Sequence, residues 1–161
     1  MDRTEGGASI TRIEEIFKET MHGETVHKND YVVIEGGGNG LTSTGVSKTL
    51  DTIERMVKMA SEKVKRNIVV MNIPMRRGKE LSEFDKMRKT VNKECIKKLR
   101  EWNCDGIQLS EKVEWQEVWG RDGKHLRFRA QLSVAMIIEE WINFRNKKYT
   151  TGNDVENKTN P

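Results

Sequence analysis

Three consecutive glycines follow a short apolar run, and this junction restricts the fold more than any other feature of the sequence. Residues 31–34 are Tyr-Val-Val-Ile, and the turn at 36–40 reads Gly-Gly-Gly-Asn-Gly. A short run rich in β-branched residues and bounded by glycines favours a buried strand over a helix. Within the turn, Asn39 has the directed hydrogen-bonding group. Its amide would supply two donor hydrogens at the carboxyl end of a strand, where open α/β sheets place their sites.

Three interpretations of this turn are open from the residues alone. It is a strand-to-helix connection that needs glycine for its backbone conformation, a cradle for phosphate, or the place of an oxyanion donor, Asn39. The phosphate cradle fits poorly, because a GxGxxG pattern would require glycine at Leu41 and no GK[ST] motif follows. The rest of the chain has to distinguish the other two.

Helical and strand patterns alternate along the remaining sequence. The spacing of apolar residues predicts strands at 31–34, 67–73 and 106–109, and helices at 11–21, 46–64, 81–102 and before Arg145. Alternation of this kind predicts an α/β fold, a parallel sheet with helices on both faces. Thr11 and Glu14 have capping-box spacing, and Ser82 with Asp85 resembles a helix start. Residues 1–145 form the predicted domain, and 146–161 are predicted to be a disordered tail because they are polar and lack periodicity.

Composition bounds the class of protein. The 161 residues suit one domain, and the 34% of charged residues indicates a heavily solvated surface. There is no apolar run long enough to span a membrane and no signal peptide at the start, so we expect a cytoplasmic location. Cys95 and Cys104 do not suggest a disulfide framework, and no metal or organic cofactor is implied. The net charge of +4 allows contact with RNA, but interspersed acidic residues favour ordinary solvated faces.

Asp122 and His125 form the second informative pattern. A carboxylate three residues before a histidine can hold its tautomer and stabilise the imidazolium, and the alternative is that both residues cap the following helix. Gly7 precedes the first predicted helix, Asn39 follows a strand, and the Asp-His pair precedes the last helix. In a parallel sheet these places converge on one edge.

The sequence resembles SGNH (GDSL-type) hydrolases in three blocks: GA at 7–8, GGN at 37–39 and DGKH at 122–125. The likeness is closer to the esterase-like domain in the first open reading frame of vertebrate LINE-type retrotransposons. There GGASITRIEEIF, VVIEGGGNG, IVVMNIPMRRGK, VNKECIKKLREW and WGRDGKHL have counterparts in the same order, covering about residues 5–141. The resemblance implies a three-layer α/β/α domain with a parallel, flavodoxin-like sheet.

The resemblance also implies a reaction, the hydrolysis of a carboxylic ester, with a small ester as the substrate. His125 would be the general base, and Asp122 would orient it. The backbone N–H of Gly7 and the amide of Asn39 would donate to the oxyanion of the tetrahedral intermediate.

Two departures from the family pattern limit this expectation. Gly40 stands where the family usually has the aspartate of GxND, and the Gly-Asp-Ser block with the nucleophile occurs nowhere in the chain. The nucleophile is therefore unknown. Ser9 is the nearest serine to the site and is more readily interpreted as a helix-start residue. We expect an inactive domain, truncated before its nucleophile, whose sheet lacks its first strand.

An absent first strand has consequences for partners. The strand at 31–34 would lose a neighbour and leave backbone groups unpaired, which predicts marginal stability, a homo-oligomer or dependence on a partner segment. The alternative function is an RNA-binding or protein-interaction module, because first-frame proteins of retrotransposons generally package their RNA.

Overall fold

The structure is a computed structural model. It describes residues 7–23, 26–64, 66–79, 82–109, 119–120 and 126–156. Two of the predicted site residues, Asp122 and His125, lie outside the described residues.

Helices and strands alternate in the described chain. Their order is α1 (Ile10–Gly23), β1 (Val32–Ile34), α2 (Leu41–Thr44), α3 (Val46–Lys63), β2 (Ile68–Met71), α4 (Glu83–Lys98), β3 (Asp105–Ile107) and α5 (Phe128–Glu156). The three strands pair in parallel in the order β1-β2-β3. The predicted α/β class and parallel sheet are therefore confirmed. None of the helices described is both long and apolar enough to cross a membrane.

Each face of the sheet has its own apolar core. Along β2, Ile68 and Val70 point into one cluster with residues of α1, α3 and α4, whereas Val69 and Met71 point into a second cluster with residues of α5. This alternation follows from the two-residue period of a strand, and all four side chains are buried. Helices thus cover both faces of the sheet, a layout compatible with α/β/α layering.

Side-chain caps set where two of the helices begin. The Asp85 N–H donates to Ser82 Oγ at 3.3 Å, which confirms the predicted start of α4. At α1 the Arg12 N–H donates to Ser9 Oγ at 3.3 Å, so this helix begins at Ile10. The capping box predicted from Thr11 is wrong, because the Glu14 carboxylate accepts hydrogen bonds from Arg55 instead.

α4 is hydrogen-bonded to the chain just beyond β2. The Ile73 N–H donates to Asn92 Oδ1, and Asn92 Nδ2 donates to the carbonyl of Ile73, both at 2.9 Å. The Asn92 side chain therefore satisfies both backbone groups of a residue that has left the sheet.

α5 continues to Glu156, whereas the sequence predicts a disordered tail from residue 146. Contacts at Arg145 and Asn146, where the predicted tail begins, join the helix to the sheet and its surroundings. Tyr31 Oη donates to Asn146 Oδ1 at 2.5 Å, Arg145 Nε lies 3.3 Å from Asp105 Oδ2, and Arg145 also donates to the carbonyl of Arg66. Polar contacts of this kind leave no periodic apolar pattern in the sequence, so the sequence does not predict them. Residues 157–161 lie outside the described part.

Candidate functional site

The glycine turn at the carboxyl end of β1 is closely packed. Gly37 has φ of +90°, a conformation that glycine adopts without strain. A Cβ at this position would lie 3.1 Å from Thr49 Cγ2 and 3.2 Å from Ile73 Cδ1. The turn therefore needs glycine both for its backbone conformation and for its contact with α3 and the end of β2.

The segment before α1 lies beside this turn. A Cβ on Gly36 would lie 2.7 Å from Ile13 Cδ1, and one on Gly40 would lie 3.8 Å from Ser9 Cβ. Gly7, with φ of +80°, is two residues before Ser9. The structure thus brings the segment that carries Gly7 to the end of the sheet where the Asn39 turn lies.

Asn39 is held by a cation from the neighbouring loop. Arg76 Nη2 donates to Asn39 Oδ1 at 2.5 Å, and Arg76 belongs to the loop that follows β2. Because this bond uses the carbonyl oxygen, it fixes which end of the amide carries the donor hydrogens. Both residues are half-buried. The site therefore presents an amide NH2 group whose orientation is set by an arginine.

Arg76 is itself held in place. Its guanidinium lies 4.8 Å from the centroid of the Phe84 ring, a cation–π contact. Burial lowers the pKa of Arg76, but a guanidinium remains charged at any pH a folded protein meets. Arg76 lies within Met-Arg-Arg-Gly-Lys at 75–79, a run that carries no functional signal in the sequence. Its contact with Asn39 was missed.

Ser9, the candidate serine, lies at the helix start. Its Oγ accepts from the Arg12 N–H, and its carbonyl accepts from the Ile13 N–H at 3.0 Å. This is the geometry of an N-cap residue, whose side-chain oxygen satisfies a backbone N–H of the first turn.

Glu35 is a second residue that sequence reasoning missed. It directly follows β1, and strand alternation puts it on the side of Val33, which packs against the second core cluster. The residue as a whole is exposed, yet desolvation by the surrounding protein raises the pKa of its carboxylate. The available signal was a carboxylate placed between an apolar strand and a glycine turn.

The ends of the segment that contains Asp122 and His125 are described. Trp119 and Leu126 form an antiparallel bridge and both pack in the second core cluster, immediately before α5. Asp122 and His125 themselves, the two predicted catalytic residues, are outside the part of the chain that the structure describes. Across the described ranges, no group of three or more His, Cys, Asp or Glu side chains could hold a metal ion.

Comparison of the sequence with models of protein families gave no match, and comparison with curated proteins gave none either. The class of protein is therefore defined by the geometry alone. It is an α/β domain in which a glycine turn, an oriented amide and an arginine meet at the carboxyl edge of a parallel sheet.

Proposed function

We propose that this chain is an SGNH-type carboxylic-ester-hydrolase-like domain, with a flavodoxin-like sheet, in which Asn39 is a donor to the oxyanion of an ester. The hydrogen bond from Arg76 to Asn39 Oδ1 carries the proposal. An amide that is held by its oxygen presents its N–H groups in a fixed direction. Fixed donors of this kind stabilise an oxyanion without reorganising during the reaction.

The arginine strengthens the donor as well as orienting it. A positive charge that donates to the amide oxygen draws electron density from the nitrogen, so the N–H groups become better donors. The Gly7 N–H would be the second donor, since its segment lies beside the turn. Removal of one such donor from a working site costs about 2.7–4 kcal/mol of transition-state stabilisation.

The remaining roles rest on the family resemblance. His125 would take the proton from the nucleophile, and Asp122 would orient its ring. We assign no nucleophile, because the chain contains no Gly-Asp-Ser and the Ser9 hydroxyl oxygen caps α1. The proposal is therefore that the chain binds an ester, or a stable tetrahedral anion that resembles the intermediate of its hydrolysis, without turning the ester over.

Binding of a tetrahedral anion tests the proposal without requiring turnover. A monoalkyl methylphosphonate would be titrated into the full chain while the side-chain NH2 resonances of Asn39 are followed by NMR. We expect those resonances to shift and Asn39→Ala to weaken binding by at least about tenfold, because one charge-assisted hydrogen bond is lost. Asn29→Ala is the control, since this exposed side chain lies on the loop before β1. Equal binding by both variants would refute the role of Asn39.

Turnover is tested separately with an activated short acyl ester. The parent chain, Ser9→Ala and His125→Ala should all match the rate in buffer. A parent rate above buffer that His125→Ala abolishes would show that a nucleophile operates, and the Ser9 variant would then show whether it is Ser9.

A further inference from the structure

A second concave site lies at the carboxyl edge of the sheet, and Asn39 is not among its lining residues. It is a cleft of about 460 Å³ between α4 and the residues that follow β2 and β3. Sites for small molecules usually occupy about 300–1,000 Å³. The cleft is therefore large enough for a small organic ligand.

Arg88 is the buried cation of this cleft. It is only 7% exposed, and its Nε and Nη2 donate to Asp85 Oδ1 at 3.0 and 2.6 Å. The third nitrogen, Nη1, has no hydrogen-bond partner among the described residues, and the side chain lines the cleft. A buried guanidinium with donors to spare is suited to an anion that enters from solvent.

A row of lysines adds to this charge. Lys86, Lys89, Lys93 and Lys97 recur at spacings of three and four residues, so they share one face of α4. The last three line the cleft together with Arg88.

The charges of this row are only partly neutralised. Lys89 pairs with Asp85 and Lys97 with Glu94, each at 2.7 Å, while Lys93 has no carboxylate partner in the described chain. The four cations that line the cleft, Arg88 and the last three lysines of the row, thus face two carboxylates, and an excess of two positive charges remains.

The cleft also offers neutral contacts. Ile96 is 44% exposed on its wall, and the half-buried Gln108, just beyond β3, has no side-chain partner among the residues described. An apolar wall and an amide suit the organic part of a ligand. The same residues would have little to contribute to the binding of a bare inorganic ion.

We propose that this cleft binds a small phosphate monoester. Its phosphate would lie against Arg88 and Lys93, and its organic part against Ile96 and Gln108. A phosphate monoester carries about −1.5 to −2 charges near pH 7 and three acceptor oxygens, which matches the excess charge and the available donors. The inference is independent of the site at Asn39.

Adenosine 5′-monophosphate is the probe, and uncharged adenosine is its matched control. The full chain would be titrated with each compound and followed by NMR at the backbone amides of Lys93 and Gln108. We expect the monophosphate to bind and adenosine not to bind. Lys93→Glu should weaken binding by at least about tenfold, since an attractive contact becomes repulsive.

Two further variants complete the test. Lys48→Glu makes the same charge change on the exposed side of α3, away from the cleft, and should retain binding within about twofold. Gln108→Ala should weaken the binding of the monophosphate without affecting the binding of inorganic phosphate.

Three results would overturn the proposal. They are equal binding of adenosine and its monophosphate, equal loss of affinity in the two lysine variants, and binding of a single-stranded oligoribonucleotide with no binding of the mononucleotide. The last result would assign the lysine row to an extended polyanion instead.

Discussion

Arg76 and Asn39 are 37 positions apart in the sequence, and a 2.5 Å hydrogen bond joins their side chains. They follow neighbouring parallel strands, β2 and β1, so both arrive at the same edge of the sheet. The position of the Asn39 amide is therefore decided by a loop from another part of the chain.

Replacement of Arg76 by methionine should disorder the Asn39 amide while keeping most of the side-chain volume over Phe84. We expect binding of the methylphosphonate to fall by about tenfold, because the donor loses its fixed direction. The comparison is NMR titration of Arg76→Met against Arg77→Met, an exposed neighbour in the same loop. Parent-like affinity in Arg76→Met would show that Arg76 does not position the donor.

Glu14→Gln should destabilise the fold by about 1–3 kcal/mol at pH 7, as a buried charge-assisted contact is weakened. Glu14 is 6% exposed, and Arg55 Nε and Nη2 donate to its two oxygens at 2.7 and 2.9 Å, joining α1 to α3. Urea unfolding measures the difference. Glu15→Gln, an exposed position paired with Arg12, should change little.

The same pair predicts a pH dependence. Hydrogen bonds from Arg55 are the largest cause that lowers the pKa of Glu14 below its ordinary 4.5. The stability contributed by its ionised form is thus present above pH 4.5 and is lost as the pH falls through the folded-state pKa. Unfolding of Glu14→Gln should therefore be less sensitive to acid than that of the parent. Parallel pH profiles of the two proteins would contradict this assignment.

Gly36→Ala should destabilise the fold by about 1 kcal/mol, the low end of overpacking costs, because the end of the half-buried Ile13 side chain has to move aside. The added methyl group would lie 2.7 Å from Ile13 Cδ1, where α1 meets the turn. Thermal unfolding would compare it with Gly23→Ala, whose new methyl has open space. Ile13→Val in the Gly36→Ala background should restore part of the loss, because it removes the clashing carbon. If Ile13→Val restores no stability, the loss in Gly36→Ala does not come from the contact with Ile13.

The outer edge of β1 predicts association. Among the residues described, β1 pairs with β2 alone, and the Val32 N–H donates to the Asn67 carbonyl at 2.7 Å. Since backbone groups alternate in direction along a strand, the N–H and C=O of Val33 point away from β2. We expect the thermal midpoint to rise with protein concentration. A sharp, concentration-independent transition of a monomer would refute this.

Local sequence patterns predicted the helices and strands well, because the buried face of each element requires apolar residues at regular spacings. The β-branched run before the glycines became β1, and Ser82 marked the start of α4. The capping box wrongly predicted from Thr11 has a tertiary cause, since Glu14 is committed to Arg55 on another helix. The contacts of Arg145 with Asp105 and of Asn146 with Tyr31 likewise join residues that are distant in sequence.

The sequence predicted a residue of the candidate site only where the residue type itself indicated a chemical role. Asn39 was conspicuous because it is the directed polar group within a glycine turn. Arg76 was not, because its role depends on a contact across the fold. The raised pKa of Glu35 and the cleft beside Arg88 both arise from what surrounds these side chains after folding, so the carboxylate before the glycine turn and the lysine row do not reveal them from sequence alone.

Through its paired hydrogen bonds with Ile73, the helix residue Asn92 connects the cleft to the loop beside Asn39. Asn92 belongs to α4 and lines the cleft. It is hydrogen-bonded to Ile73, from which the loop that carries Arg76 continues. A displacement of α4 at Asn92 would be passed on to the arginine that aims Asn39. Where a ligand in the cleft displaces α4 in this way and so changes the affinity at Asn39, linkage requires a ligand at Asn39 to change the affinity of the cleft by the same factor.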